Sequence, residues 1–439
     1  MSFDPTTPLL GCTAFLLGAA LVASFVRWPG WAIGVYTTVQ LWQSYQSMPG
    51  SRSGAGVDLL PTDVLTMCLL AASLIILARR RGYRAPLALL ALLSLTACAL
   101  LRGFGRFDAQ TVGNEARTHF IQLLCVAFFV AVLSPGRPLV RTVARVWVAA
   151  ACVLSLLALL WWLEAGIGSN SEQVMVDGVL TNARALGPAE ALIIGQAAMF
   201  LLCGRGLAGP GFLAWPLLMV VVLMQHRTVW LAVGIMFIGW LLTRRHQKGS
   251  RLAALTVLGS LSTLGLLAVS WGVAEGVTSS LGASSEDDAT LVWRVEGWLA
   301  LLPRLDGVLD WLVGLPFGSG YDRMMNGVLI TFSPHNYYLE VLLRLGLLGV
   351  AALLALYATA GRAAGADREH GLLIRLLICG HLIFMTTYPL FPEQAVILGL
   401  LAACARPRSD APSPRTTQES PCPTRPHSSP ASPVRTARI

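Results

Sequence analysis

Apolar runs separated by short polar breaks make up most of the chain. They fall at 9–26, 31–47, 60–78, 86–102, 118–133, 141–163, 187–203, 211–225, 228–243, 252–271, 335–360, 372–388 and 392–405. Many reach the roughly 20 residues a helix needs to cross a hydrocarbon core. None shows the alternation of a membrane β-strand. The pattern predicts an all-α, polytopic membrane protein with about 12 transmembrane helices, because adjacent short pairs can be re-entrant or interfacial.

One polar break is long. Residues 272–334 separate an N-terminal bundle (1–271) from C-terminal membrane helices (335–405), and a tail follows at 406–439. Within the break, Asp287 and Asp288 offer helix caps. Leu291, Val295, Trp298 and Leu302 then recur at helical spacing, which predicts an amphipathic helix over Thr290–Leu302. Trp293, Trp298 and Trp311 suit a membrane interface, so helices lying along the surface are expected rather than a separate soluble domain. Leu315-Pro316-Phe317-Gly318-Ser319-Gly320-Tyr321 reads as a tight turn. No strand precedes it and no lysine follows, as a nucleotide-binding loop would require. The tail is rich in Pro, Ser, Thr and Arg and is expected to be disordered.

Composition sharpens this. Charged residues make up 13% of the 439 residues, about half the share usual in soluble domains. The net charge of +9 is carried almost wholly by arginine, with Lys248 the only lysine. In a membrane chain that excess reflects topology and lipid headgroups, and no nucleic-acid motif accompanies it. Eight of nine cysteines lie in or beside apolar segments and no C-x-x-C occurs, which argues against a disulfide framework or a cysteine metal site. Met1–Pro8 lacks the basic stretch of a signal peptide, so the first apolar run is expected to remain as a membrane helix.

Arginine placement orients the array. Arg79-Arg80-Arg81 with Arg84, Arg137 with Arg141, Arg244-Arg245 with Lys248 and Arg251, and Arg362 with Arg368 are short basic loops an even number of spans apart. They share one side, which the positive-inside rule makes cytoplasmic. The long break and the start of the 335–360 segment then face outward.

On that outer face lie Arg184, Arg227, Arg294 and His335. Arginine at the edge of hydrocarbon is costly and usually has a partner, and guanidinium groups match phosphate oxygens in a bidentate way. Ser333 reads as an N-cap with Pro334 at the first helical position, so His335 and Asn336 are expected in the first turn of a long helix. Free N–H groups and the dipole there favour an anion and a neutral imidazole. Asn336 beside it and Tyr338, three residues on, are candidates to orient His335 or the ligand. Each residue has a structural alternative: Arg184 reaching headgroups, Arg227 paired with a buried acceptor, Arg294 solvated, His335 merely capping. His226 is expected to bond locally. Arg102, Arg106, Arg117 and His119 are expected at the interface, with the lining of an entry path as the alternative. No D-x-D or histidine cluster supports a metal.

Three pieces in order resemble one family. Arg227 opens a span, Arg294 and Trp298 form R-x-x-x-W, and His335-Asn336-Tyr337-Tyr338-Leu339 precedes Arg344-Leu345-Gly346-Leu347-Leu348-Gly349. They resemble the O-antigen ligase and polymerase superfamily, and the size and layout are most similar to the lipopolysaccharide O-antigen ligases. His226 stands where the family has a small hydroxyl residue. The resemblance implies a bacterial inner-membrane glycosyltransferase with a periplasmic site. Its donor would be undecaprenyl-diphosphate-linked O-antigen and its acceptor a sugar hydroxyl of lipid A–core, with neither metal nor cofactor and no obligate protein partner. Arg227 and Arg294, with Arg184 as a third member, would hold the diphosphate. His335 would act on the acceptor, and single displacement would invert the anomeric carbon. O-antigen polymerase and protein O-oligosaccharyltransferase are alternatives within the superfamily, and a small-anion transporter is one outside enzymology. Transporters, however, usually show repeats and midplane sites, and neither is visible here.

Overall fold

The computed structural model describes residues 6–46, 60–80, 86–133, 135–166, 173–176, 179–182, 184–204, 206–244, 289–325, 327–366 and 370–405. The apolar runs become helices: α1 (Thr6–Arg27), α2 (Pro29–Gln46), α3 (Pro61–Arg79), α4 (Leu87–Phe104), α5 (Ala109–Ala116), α6 (Leu123–Val132), α7 (Arg137–Ala165), α8 (Pro188–Cys203), α9 (Ala214–Leu223) and α10 (Arg227–Arg244). After the long break come α11 (Ala289–Leu301), α12 (Val308–Val313), α13 (Tyr337–Ala366), α14 (Gly371–Phe384) and α15 (Ala395–Cys404). The expected run at 252–271, the caps Asp287 and Asp288, and the tail lie outside the described residues.

Among the described residues, five helical stretches are long and apolar enough to cross a membrane: Pro61–Arg79, Leu87–Phe104, Ala109–Val132, Arg137–Glu164 and Tyr337–Gly365. Leu87, Leu163 and Phe15 on the helical surfaces are over 70% exposed, as lipid-facing side chains are. Strand is confined to two small antiparallel hairpins, β1 (Gln173–Val176) with β2 (Val179–Asn182) and β3 (Arg323–Met325) with β4 (Val328–Ile330). The expectation of an all-α chain missed both. Each is too short to show a period, and alternation is visible only over longer strands.

Helices that are apolar on every side belong inside a bundle. All ten residues of α6 are buried, and α8 and α15 are buried over almost their whole lengths. A polar chain fixes their register. Trp147 Nε1 donates to Gln196 Oε1 (2.9 Å), Gln196 Nε2 donates to Gln394 Oε1 (2.8 Å), and His381 Nε2 meets the same oxygen at 2.9 Å. Tyr357 Oη lies 3.0 Å from His381 Nδ1, so α7, α8, α14 and α13 share one buried network. At one end of the bundle Arg80 donates to Val132 O (2.9 Å), tying one basic loop to the end of α6.

The stretch Ala109–Val132 is not one regular helix. Residues Arg117–Gln122 form a π-turn between α5 and α6. Nor is α13 the uninterrupted helix that its apolar run predicts. It breaks at Gly346, whose φ is +67°. The cause is a backbone crossing. A Cβ at Gly346 would strike the Leu312 carbonyl, and one at Gly314 (φ +75°) would strike the Arg344 carbonyl. With both side chains absent, α12 closes onto α13 and Leu315 N–H donates to Leu343 O at 2.6 Å.

Candidate active site

The approach to α13 is built by the long break. Trp298 on α11 donates its indole N–H to Pro334 O (2.6 Å), and Trp293 packs 6.2 Å from the Phe332 ring. Arg323 donates to Tyr321 O (3.0 Å) and Phe332 O (2.9 Å). The chain turns under this cover with His335 in the left-handed region, φ +51°. Helix α13 then starts at Tyr337, not at Pro334. The cap is Asn336, whose Oδ1 accepts the Leu339 N–H (3.1 Å) while its carbonyl accepts the Glu340 N–H (3.0 Å). Asparagine caps as well as serine does, and a left-handed residue at His335 forbids a helix beginning earlier. The expected Ser333 cap is thus corrected, and Ser333 Oγ is buried without a partner.

His335 therefore does not sit in a helical first turn. Burial comes first among the causes that push its imidazole down to about 4, followed by the charges of Arg294 and Arg323, with Glu340 opposing. Burial, rather than the dipole of a helical first turn, is thus what chiefly disfavours its charged form. Its Nδ1 is buried and has no hydrogen-bond partner. The two residues expected to orient it bond elsewhere: Asn336 caps the helix, and Tyr338 Oη donates to Leu382 O (2.9 Å) on α14.

The arginines sort by what they meet. Arg344 is fully buried and ion-paired with Glu115, Arg102 lies 3.5 Å from Asp310, and Arg117 lies 3.7 Å from Asp63. These hold the fold together, so Arg102 and Arg117 do more than sit at an interface. The loop Pro316–Tyr321 resembles an anion cradle but is filled from within: Glu115 Oε2 accepts N–H bonds from Gly318 (2.7 Å) and Gly320 (3.2 Å).

Among the described residues, Arg184, Arg227 and Arg294 have no carboxylate partner at ion-pair distance. Arg184 donates to His226 Nδ1 (2.6 Å), and His226 Nε2–H donates to Leu186 O (3.0 Å). Burial and then Arg184 hold His226 down to about 3, so this acceptor stays neutral. His226 thus ties the Arg184 guanidinium to the Leu186 carbonyl. It lies in the turn before α10, next to Gln225, the second non-glycine residue with positive φ (+55°). Arg227, exposed, opens α10, and Thr228 Oγ1 lies 2.6 Å from Thr387 Oγ1 at the end of α14. Arg294 lies 5.7 Å over the ring of Tyr388, which stacks on Phe384 at 5.1 Å. Arg184 is depressed first by burial, with Tyr388 opposing and the charges of Arg227 and Arg294 adding to the depression. The three guanidiniums share one field, and Arg294 extends it to His335.

Two residues of this neighbourhood, Glu340 and Tyr388, were missed. Glu340 on α13 is buried, and His119 Nδ1 on the π-turn lies 2.6 Å from its Oε1. Tyr321 Oη donates to the same oxygen at 3.2 Å. An acid in an apolar helix is a signal that could have found Glu340, but its partner is remote in sequence. Tyr388 carried no signal beyond an aromatic near a helix end. Among the described residues, no group of His, Cys, Asp and Glu is arranged to hold a metal. Three positive charges without carboxylates, beside a neutral imidazole, can bind an anion with two or more charges and take a proton next to it. No protein-family model matches the chain, and no curated protein matches it in sequence.

Proposed function

We propose that this chain is a membrane glycosyltransferase of the O-antigen ligase type, moving glycan from undecaprenyl diphosphate to a sugar hydroxyl of lipid A–core. The observation that carries the reading is that Arg184, Arg227 and Arg294, without a carboxylate partner among the described residues, share one field, which reaches the buried imidazole of His335 through Arg294. The acceptor oxygen attacks the anomeric carbon, and the bond from that carbon to the diphosphate breaks with its electron pair leaving on the phosphate oxygen. Guanidinium groups fixed beforehand stabilise that developing charge. His335 takes the acceptor's proton. Attack opposite the leaving group inverts the carbon. The bacterial inner membrane, with this end of the bundle facing the periplasm, is the location consistent with the basic loops.

The test is purified protein in nanodiscs supplied with undecaprenyl-diphosphate-linked oligosaccharide and lipid A–core. Equal amounts of glycosylated core and undecaprenyl diphosphate are expected. Donor that binds but is never transferred to core overturns the reading. In cells, loss of a ligase leaves unglycosylated core while lipid-linked polymer accumulates; core carrying a single repeat unit would instead identify a polymerase.

A further inference from the structure

His335 is a hard place to leave a proton. It is surrounded by Arg294 and Arg323, and burial already disfavours its charged form. A base with so depressed an affinity can start a proton transfer but cannot hold the product. The same neighbourhood contains a second imidazole with the opposite setting. His119 faces the Glu340 carboxylate at 2.6 Å, and Glu340 Oε2 is buried with no hydrogen-bond partner. A carboxylate at Nδ1 places the proton there and leaves Nε2 as acceptor. That nitrogen has no partner among the described residues, and the His119 side chain is 17% exposed. Tyr321 Oη and the edge of the Phe391 ring, 5.7 Å away, fix the carboxylate and the imidazole respectively.

The backbone supports a built arrangement. His119 lies in the π-turn Arg117–Gln122, a register shift of a kind frequent at functional sites. Tyr337 Oη donates to the His119 carbonyl (3.1 Å), locking that shift to the start of α13 two residues from His335. The charges of both Glu340 and His119 register on His335, so the two imidazoles share one electrostatic environment.

We propose that His119 and Glu340 form the proton-holding dyad of this site: the proton that His335 removes from the acceptor hydroxyl passes to His119 Nε2, and Glu340 neutralises the imidazolium. The inference rests on the glycosyl-transfer reading. The balance closes. The acceptor's O–H electron pair forms the new bond to the anomeric carbon, the diphosphate leaves with the old one, and the proton ends on His119 until bulk water takes it. His335 is returned neutral for the next cycle.

The experiment compares His119→Gln, Glu340→Gln and Glu340→Asp in nanodiscs, measuring donor affinity and steady-state transfer to lipid A–core. His119→Gln and Glu340→Gln should lower kcat by about 10–100-fold, with donor Kd within about twofold of wild type. Glu340→Asp, which keeps the charge, should recover most of that loss. Wild-type kcat in His119→Gln overturns the dyad. So does equal loss of donor binding in all three variants, which would make the pair structural. Should Glu340→Gln fail to fold, the partly exposed His119→Gln decides alone. Wild-type protein, Arg294→Lys and His335→Ala run beside them separate the two levels. If the wild type binds donor but transfers none, the glycosyl-transfer reading falls; if Arg294→Lys and His335→Ala abolish transfer while His119→Gln does not, only the dyad falls.

Discussion

Removing Glu115 should destabilise the end of the bundle that carries the Pro316–Tyr321 turn. Its carboxylate is 10% exposed and its partner Arg344 is 0% exposed. Arg344 also donates to Ser319 Oγ (2.5 Å) and Gly320 O (2.5 Å), and its guanidinium stacks 4.3 Å over the Tyr321 ring. Without Glu115 the guanidinium keeps these neutral acceptors but loses its one counter-charge among the described residues, and Gly318 and Gly320 lose the acceptor of their N–H groups. Breaking a buried pair from one side costs about 3–5 kcal/mol, because the other charge stays buried. Glu115→Ala and Arg344→Met should each fall in that range. The double variant should cost less than their sum by about 2–3 kcal/mol, since it strands no charge. Equilibrium unfolding in lipid, run as a double-mutant cycle, measures this. Single costs below about 1 kcal/mol that add within about 0.5 kcal/mol would refute the claim that this pair clamps the Pro316–Tyr321 turn. Turnover should fall with stability, because the turn positions Tyr321 against Glu340.

His335→Ala should retain donor binding and lose transfer by about two to four orders of magnitude, and His335→Gln should be nearly as inactive because an amide cannot take the proton. Loss of donor binding with normal turnover of bound donor would instead make His335 a phosphate ligand. Arg227→Lys or Arg294→Lys keeps the charge but loses the planar fork, so donor affinity or turnover should drop in a donor-binding and transfer assay; unchanged values count against diphosphate recognition. Unfolded histidines bind protons below about pH 6.5, whereas His335 waits until about 4 and His226 until about 3, so stability should fall as pH drops through that window. Thermal unfolding from about pH 7 to 4 reads this; His226→Gln should flatten the slope, and a flat wild-type profile sinks the idea. In intact cells, cysteines placed near residues 280 and 320 should react with an impermeant reagent and one near residue 248 should not; the reverse would invert the topology.

The helices were legible because each is an apolar run bounded by polar or Gly/Pro breaks, and α11 was legible from the spacing of Val295, Trp298 and Leu302. The boundaries of α3, α8 and α10 fall within a residue or two of the runs that predict them. What was not legible depends on approach from elsewhere in the chain. The break at Gly346 follows from a crossing with Leu312, more than 30 residues earlier, and no local pattern encodes that crossing. The start of α13 was misplaced because Ser333 and Asn336 are equally good caps, and only the cover provided by Trp298 decides between them. Among site residues, the arginines were found because charge on an apolar background is conspicuous. The sequence did not separate Arg344 from Arg227, although one is a sealed structural ion and the other is exposed. That distinction is Glu115, 229 positions away from Arg344 and 112 from Arg227, and a carboxylate's choice of partner is invisible along the chain.

The irregular backbone is concentrated where the chemistry is proposed. Gln225 and His335 have positive φ without being glycine, and the π-turn carries His119. Such conformations cost about 1–3 kcal/mol each and persist only where surrounding contacts overdetermine them. Here those contacts can be named. The His226–Leu186 bond anchors the residue after Gln225, the Trp298–Pro334 bond anchors the residue before His335, and the Tyr337 hydroxyl holds the His119 carbonyl. Each constraint comes from a different segment, so the regular helices act as a frame on which strained residues are held from outside. A histidine merely capping α13 would need none of this, since Asn336 already performs that task. The strain at His335 places a buried imidazole, its charged form disfavoured, within the field of Arg294, and that placement is what the proposed proton transfer beside a diphosphate would use.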